Sequence, residues 1–242
     1  MQVQLAGEPG RPGRANEDFT AATPEALVLL DGLGPPDGRE SGCSHGTAWY
    51  VRRLGVRLLA RLTGRADRSI GECLADAVVE TAALHGGRCD LAHPRTPAAT
   101  VVAARVVGEA LEYLVLGDSL LVLGLRDGPP RVVGSRRPVP GARTAGPGPR
   151  TVAASPRAAE YAETGRVRLA ELSAVAALSD GAARFTDLFA LGDWSDALRL
   201  MSASGPDALI DRVRAAERTD PRCERWPRAQ AHDDASAVHA RV

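Results

Sequence analysis

ALVLLDGLG, residues 26–34, is the stretch whose reading decides the fold. Its five leading apolar residues form a run of strand length, short and buried, that stops at Asp31 and Gly32. A Gly/Pro-rich loop follows. The same arrangement recurs in YLVLGDS, residues 113–119, which sets Asp118 after an apolar run, and in VAALSDG, residues 175–181, which sets Asp180 after another. Asp233, in HDDASAVHA at 232–240, opens onto the last apolar run, and Asp18 sits in RANEDF at 14–19. Carboxylates at strand ends can converge on one edge of a layered sheet. Hard divalent cations want a cluster of oxygens of that kind.

Working outward, TVVAARVV at 100–107 and ALEYLVL at 110–116 read as a hairpin closed over Gly108 and Glu109. LLVLGL at 120–125 continues an antiparallel meander to the turn Arg126-Asp127-Gly128. SAVAAL at 173–178 and ASAVHA at 235–240 supply two further strands. Apolar residues at helical spacing predict helices over about 47–62 and 69–84. Residues 186–217 are expected to be mainly helical, interrupted near 202–206. Runs of strands broken by helix pairs indicate an α+β layered fold, not alternating βαβ units. The length of 242 residues suits a single domain spanning 1–242. Residues 1–13 are expected to be poorly structured, and 134–157, rich in Pro, Gly and Arg, to form a loop.

Composition narrows the function. Thirty basic and thirty acidic residues cancel, which argues against nucleic acid or an anionic membrane as partner. Every basic residue is Arg and none is Lys, a coding bias that makes Arg abundance a poor sign of phosphate recognition. The lone Asn, Asn16, stands beside Asp18. The first residues lack the apolar core of a signal peptide, no run is long enough to span a membrane, and cytoplasm is the expected location. Cys43, His45, His85, Cys89, Asp90 and His93 invite a zinc site. Their CxH and HxxxCxxxH spacing is not that of standard structural zinc, which sets the idea aside. Asp-Gly is a common turn dipeptide, and Asp127-Gly128 is read as only that. The acidic pattern carries weight through its repetition after apolar runs.

Taken in order, the motifs Asn16-Glu17-Asp18, Asp31-Gly32-Leu33-Gly34, Gly117-Asp118-Ser119, Ser179-Asp180-Gly181 and Asp233-Asp234-Ala235-Ser236 resemble those of the metal-dependent Ser/Thr protein phosphatases of the type 2C group, bacterial members included. The resemblance covers about residues 11–242. It implies a four-layer α/β/β/α sandwich, two antiparallel sheets with the metals at one end and helix pairs outside. It implies that Asp31, Asp180 and Asp233, with the carbonyl of Gly32, hold two Mn²⁺ or Mg²⁺ ions. Asp18 contributes directly or one layer out, and Asp118 holds a third, weaker ion. Arg14 stands near the place of the family's phosphate-binding Arg. The implied activity is hydrolysis of phosphate monoesters by a metal-activated water, most simply phospho-Ser/Thr in protein. The substrate is then a phosphoprotein or a small phosphate ester, and a kinase counterpart is implied that the sequence does not name.

The chain departs from the pattern after Gly34. Pro35-Pro36 replaces the usual Gly-His, which removes the His that protonates the leaving alkoxide. His45 is the nearest replacement in sequence, with a packing role as the alternative. Leu120 replaces the Arg that commonly follows G-D-S, and Asp234 stands where many members carry Asn, to tighten metal binding or to face solvent. These changes leave two alternatives open, a pseudophosphatase that binds a partner without turnover and a phosphatase for a small-molecule phosphate.

Overall fold

The structure, a computed structural model, describes residues 1–35, 41–134 and 150–242. Strands β1 (Gln2–Glu8), β2 (Phe19–Ala22) and β3 (Ala26–Leu33) precede helices α1 (Thr47–Gly64) and α2 (Ile70–Ala83). The meander β4 (Ala98–Val107), β5 (Ala110–Leu116), β6 (Leu120–Leu125) and β7 (Arg131–Val133) follows. Then come β8 (Glu163–Arg168), β9 (Leu172–Leu178), helices α3 (Asp180–Asp187), α4 (Trp194–Ser204) and α5 (Pro206–Thr219), and β10 (Ala235–Arg241). Among the described residues the strands make two five-stranded sheets, ordered β1-β10-β9-β6-β7 and β2-β3-β4-β5-β8, with every pairing antiparallel.

Three apolar layers hold four structural layers together, and β3 shows why. Successive side chains of a strand point to opposite faces. Ala26, Val28 and Leu30 pack with Tyr50, Leu54 and Leu58 of α1 and Leu74 of α2. Leu27 and Leu29 pack instead with Val175 and Ala177 of the opposite sheet. Over Ala26–Leu30, β3 is therefore apolar at every position, with no polar alternation. β9 does the same in the other sheet: Val175 and Ala177 face inward, and Ala176 and Leu178 pack under α3–α5 with Phe185, Leu209 and Val213. Burial of the Tyr50, Leu54, Leu58 and Leu62 stripe fixes α1 on its sheet, and a reciprocal Ser69–Glu72 capping box starts α2. No helix among the described residues is long and apolar enough to cross a membrane.

Several expectations need correction. Residues 1–13 are not without structure: Gln2–Glu8 pairs along its length with β10, from Gln2 opposite Arg241 to Glu8 opposite Ala235. Only Ala6 of this edge strand is buried, so backbone hydrogen bonding, not an apolar pattern, places it. Three helices, not a pair, follow Asp180. Of the expected loop 134–157, residues 135–149 lie outside the described residues. Val152 bridges Ala99, and Tyr50 Oη donates to the carbonyls of Val152 (3.0 Å) and Ala153 (2.8 Å), so this part is bound to the helical layer.

Candidate active site

Four segments bring the acidic residues to one end of the sandwich. Asp31 is near the end of β3, in one sheet. Asp180 opens α3 directly after β9, in the other, and its N–H donates to Asp31 Oδ2 at 3.3 Å, which closes the gap between the sheets. Asp233 precedes β10 and Asp18 precedes β2. Together with Arg11, Arg14, Glu17, Gly32, Gln230, His232 and Asp234 they line a cleft of about 400 Å³.

Small residues make this convergence sterically possible. A Cβ on Gly32 would stand 2.3 Å from the Glu17 carbonyl, and one on Gly181 would stand 2.0 Å from the Asp234 carbonyl. The two Asp-Gly pairs are thus close-packing devices as well as turns. Asn16 accepts from the N–H of Asp18 (2.8 Å), a local Asx turn that accounts for the chain's single Asn. In Gly117-Asp118-Ser119, Gly117 adopts a left-handed φ of +102° and the buried Ser119 hydroxyl meets Thr100 Oγ1 at 2.5 Å. Asp118 is close enough to raise the pKa of Asp31.

The carboxylates are crowded beyond what water alone would stabilise. Burial pushes Asp18 up to about 8, and the charges of Asp234 and Asp180 add to the rise while Ser236 and Ser179 oppose it. Asp31 is raised well above the carboxylate range, by burial first and then by Asp18, Asp180 and Asp118. Asp18 Oδ2 is buried with no hydrogen-bond partner among the described residues. A buried carboxylate oxygen without a donor is costly unless a cation meets it. The donor set is entirely oxygen, which suits a hard divalent ion.

Around the carboxylates runs a set of supports that the sequence did not disclose. Asp234 is half-buried on the cleft wall, and both its oxygens are engaged. Its Oδ1 accepts from Gly10 N–H (2.7 Å) and its Oδ2 from Glu17 N–H (2.6 Å), so it clamps the arm that carries Arg11, Arg14 and Asp18. Arg184, on α3 and almost fully buried, donates to Asp233 Oδ2 (2.7 Å) and to Glu217 Oε1 (2.6 Å). Gln230 holds the other Asp233 oxygen. Glu217 is fully buried and also meets Arg214 Nη1 (2.7 Å) and His232 Nδ1 (2.8 Å) at Oε2. Arg184 lies one helical turn after Ser179-Asp180-Gly181, the one signal by which it could have been found.

Arg14 lines the cleft, as does Arg11 three residues earlier. His45 does not. Its ring stacks on Trp49, with centroids 4.1 Å apart, and its Nδ1 lies 3.7 Å from Cys43 Sγ and 3.5 Å from Cys89 Sγ. Of its two readings the packing role is kept and the acid role withdrawn: a ring just before α1, stacked on Trp49 and held against two thiols, is turned to other partners. The histidine that does line the cleft is His232.

With that geometry in view, comparison with known proteins is direct. The model of the family described as Protein phosphatase 2C matches residues 11–214. Solved structures share the fold. One is a bacterial serine phosphatase bearing a single arginine substitution, at TM-score 0.68 and 15% identity, covering 100% of this chain and 98% of that one. Another is the Ser/Thr phosphatase Stp1 from Staphylococcus aureus, at 0.65 and 14%, covering 100% and 94%. A third is the catalytic domain of PstP in complex with 2 manganese ions, at 0.62 and 17%, covering 99% and 97%. A search of curated proteins finds no match. The family match spans most of the chain and takes in four of the five acidic motifs, while the fold supplies the two-sheet frame that brings them together, so the chain belongs to the protein phosphatase 2C family.

Proposed function

We propose that this chain hydrolyses phosphate monoesters, in the first instance phospho-Ser or phospho-Thr in protein, with Mn²⁺ or Mg²⁺ held by Asp18, Asp31, Asp180, Asp233 and the carbonyl of Gly32. Asp118 is the proposed ligand of a third, weaker ion. The observation that carries the reading is the buried Asp18 Oδ2, without a hydrogen-bond partner among the described residues, beside a second carboxylate raised by burial and by its acidic neighbours. Divalent ions in such a site supply Lewis acidity and a water of lowered pKa. PstP, which shares the fold, is described with two manganese ions.

The remaining roles belong to the protein's own side chains. Arg14 and Arg11, on the cleft wall, offer guanidinium donors to the phosphate oxygens. Arg184 and Gln230 fix both oxygens of Asp233, so that it presents one orientation to the cleft. His232 replaces the missing histidine of the Gly34-Pro35 loop. Glu217 binds its Nδ1, which leaves Nε2 to give a proton to the departing alkoxide.

Hydrolysis of p-nitrophenyl phosphate by metal-stripped protein, with Mn²⁺ added back and Asp180→Asn alongside, tests the reading. Mn²⁺-dependent turnover that the variant loses is the expected result. Metal binding without turnover on any phosphate ester would instead make the chain a pseudophosphatase. The acid role has its own signature. His232→Ala should slow a phosphoserine peptide by roughly 10²-fold while costing an aryl phosphate, whose leaving group needs no proton, far less. Equal losses on the two substrates would remove His232 from that role.

A further inference from the structure

At the far end of α1 and α2 from their connecting turn lies a second group of metal-ligating side chains, separate from the acidic cleft. Cys43 and His45 come just before α1, and His85 and Cys89 just after α2. One ligand atom from each, two sulfurs and two imidazole nitrogens, lies within 4.8 Å of every other. Cys43 Sγ is 3.7 Å from His45 Nδ1 and 3.7 Å from His85 Nδ1, and Cys89 Sγ is 3.5 Å from His45 Nδ1. A tetrahedral zinc with Zn–S of about 2.3 Å and Zn–N of about 2.0–2.1 Å sets its sulfur and nitrogen ligands about 3.5–3.6 Å apart. The separations of 3.5–3.7 Å lie close to that edge length.

We propose that Cys43, His45, His85 and Cys89 form a structural zinc site that ties the entry of α1 to the exit of α2. Binding converts two thiols to thiolates and releases two protons, so that Zn²⁺ with two thiolates and two neutral imidazoles is uncharged and tolerates partial burial. No electron transfer is involved.

The surroundings are built for a fixed cluster. Trp49 stacks on His45 and meets His85 edge-on at 4.9 Å between centroids, which fixes both rings. Asp90 N–H donates to the Gly42 carbonyl at 2.7 Å and joins the two ligand-bearing loops. A Cβ on Gly42 would meet the Asp90 carbonyl at 2.5 Å, and its φ of +70° is left-handed, so the crossing needs glycine. The linear spacing misleads because the ligands arrive in two pairs, one before and one after a helical hairpin, at its open end, which places 39 residues between His45 and His85 without separating them in space.

The test is zinc content by mass spectrometry of the full chain, purified after growth with zinc and passed over a chelating resin. One zinc per chain is expected in the wild type, in Asp180→Asn, which leaves this cluster intact, and in Cys223→Ser, which alters an unrelated thiol. The Cys43→Ser/Cys89→Ser double variant should lose it. Replacement of the zinc by Co²⁺ in the wild-type chain should give a thiolate-to-cobalt charge-transfer band, a readout that requires no variant to fold. Substoichiometric zinc with no such band overturns the proposal. So does zinc that Asp180→Asn loses and the double variant keeps, or a Cys43–Cys89 disulfide detected by thiol titration of freshly prepared protein.

Discussion

Asp31→Asn should reduce Mn²⁺-dependent turnover by at least on the order of 10²–10³, the range for removing one group that supports developing charge, and should at the same time stabilise the metal-free chain. The two effects have one origin. Asp31 is raised by burial and by Asp18, Asp180 and Asp118, so in the absence of a cation its charge is a strain on the fold. The amide keeps an oxygen for the Asp180 N–H, now at 3.3 Å, and discards the repulsion. The pH sign follows from linkage. A carboxyl whose folded pKa is raised keeps its proton in the folded state after the unfolded chain has lost it, so stability falls as pH rises. For Asp18 the window runs from the ordinary 3.8 to about 8. The slope is at most about 1.4 kcal/mol per pH unit for each proton of difference. Metal-free wild type should therefore be less stable to urea at pH 8 than at pH 5, Mn²⁺ should reverse the loss, and the advantage of Asp31→Asn should grow over the same interval. Full turnover in the variant would end the assignment of Asp31. A metal-free variant less stable than wild type at pH 8 would end the repulsion argument.

The parts of this molecule that were legible in its sequence are those where one local rule acts alone. β3 and β9 are buried on both faces, so Ala26–Leu30 and Ala174–Leu178 read as unbroken apolar runs, and the hairpin over Gly108 follows from a single left-handed residue. The acidic residues were legible because strand ends place them. What escaped was written in pairings across the chain. β1 exposes nearly every side chain and is defined by its backbone ladder to β10. β8, ETGRVR, buries Val167 and little else. Asp234 reads as a spare carboxylate until the N–H groups of Gly10 and Glu17 are seen on its two oxygens. His45 read as the nearest acid because sequence distance stood in for spatial distance. The fold sends it to the cysteines and brings His232, more than two hundred residues from Asp31, to the cleft. The support behind the site was the least legible part, because an Arg in an Arg-rich chain gives no sign that it is buried.

Glu217→Ala should destabilise the chain by about 3–5 kcal/mol, the usual consequence of removing one partner from a buried ion cluster. Glu217 is fully buried, and its two oxygens serve Arg184, Arg214 and His232. Without it, two guanidinium groups, each about nineteen-twentieths buried, lose a close carboxylate partner, and neither can shed its charge; Arg214 would keep the Glu8 carbonyl at 3.0 Å and its carboxylate at 3.6 Å. Arg184 would retain only Asp233, so the same change should loosen a proposed metal ligand and lower turnover as well as stability. Glu217→Gln separates charge from contact: it keeps an acceptor and the packing, and should cost less. Burial alone would raise this carboxyl, but hydrogen bonds from Arg214 and His232 and the charge of the two guanidiniums hold it below its ordinary 4.5. The contribution is then fully present above pH 4.5 and is lost as pH falls through the lower folded value, so the gap between wild type and Glu217→Gln should close only in that acidic range. Urea unfolding of the three proteins at pH 7 and below pH 4 reads both quantities. A loss under about 1 kcal/mol for Glu217→Ala at pH 7 would mean that Arg184 and Arg214 find other partners, and that the cleft does not depend on this cluster for its shape.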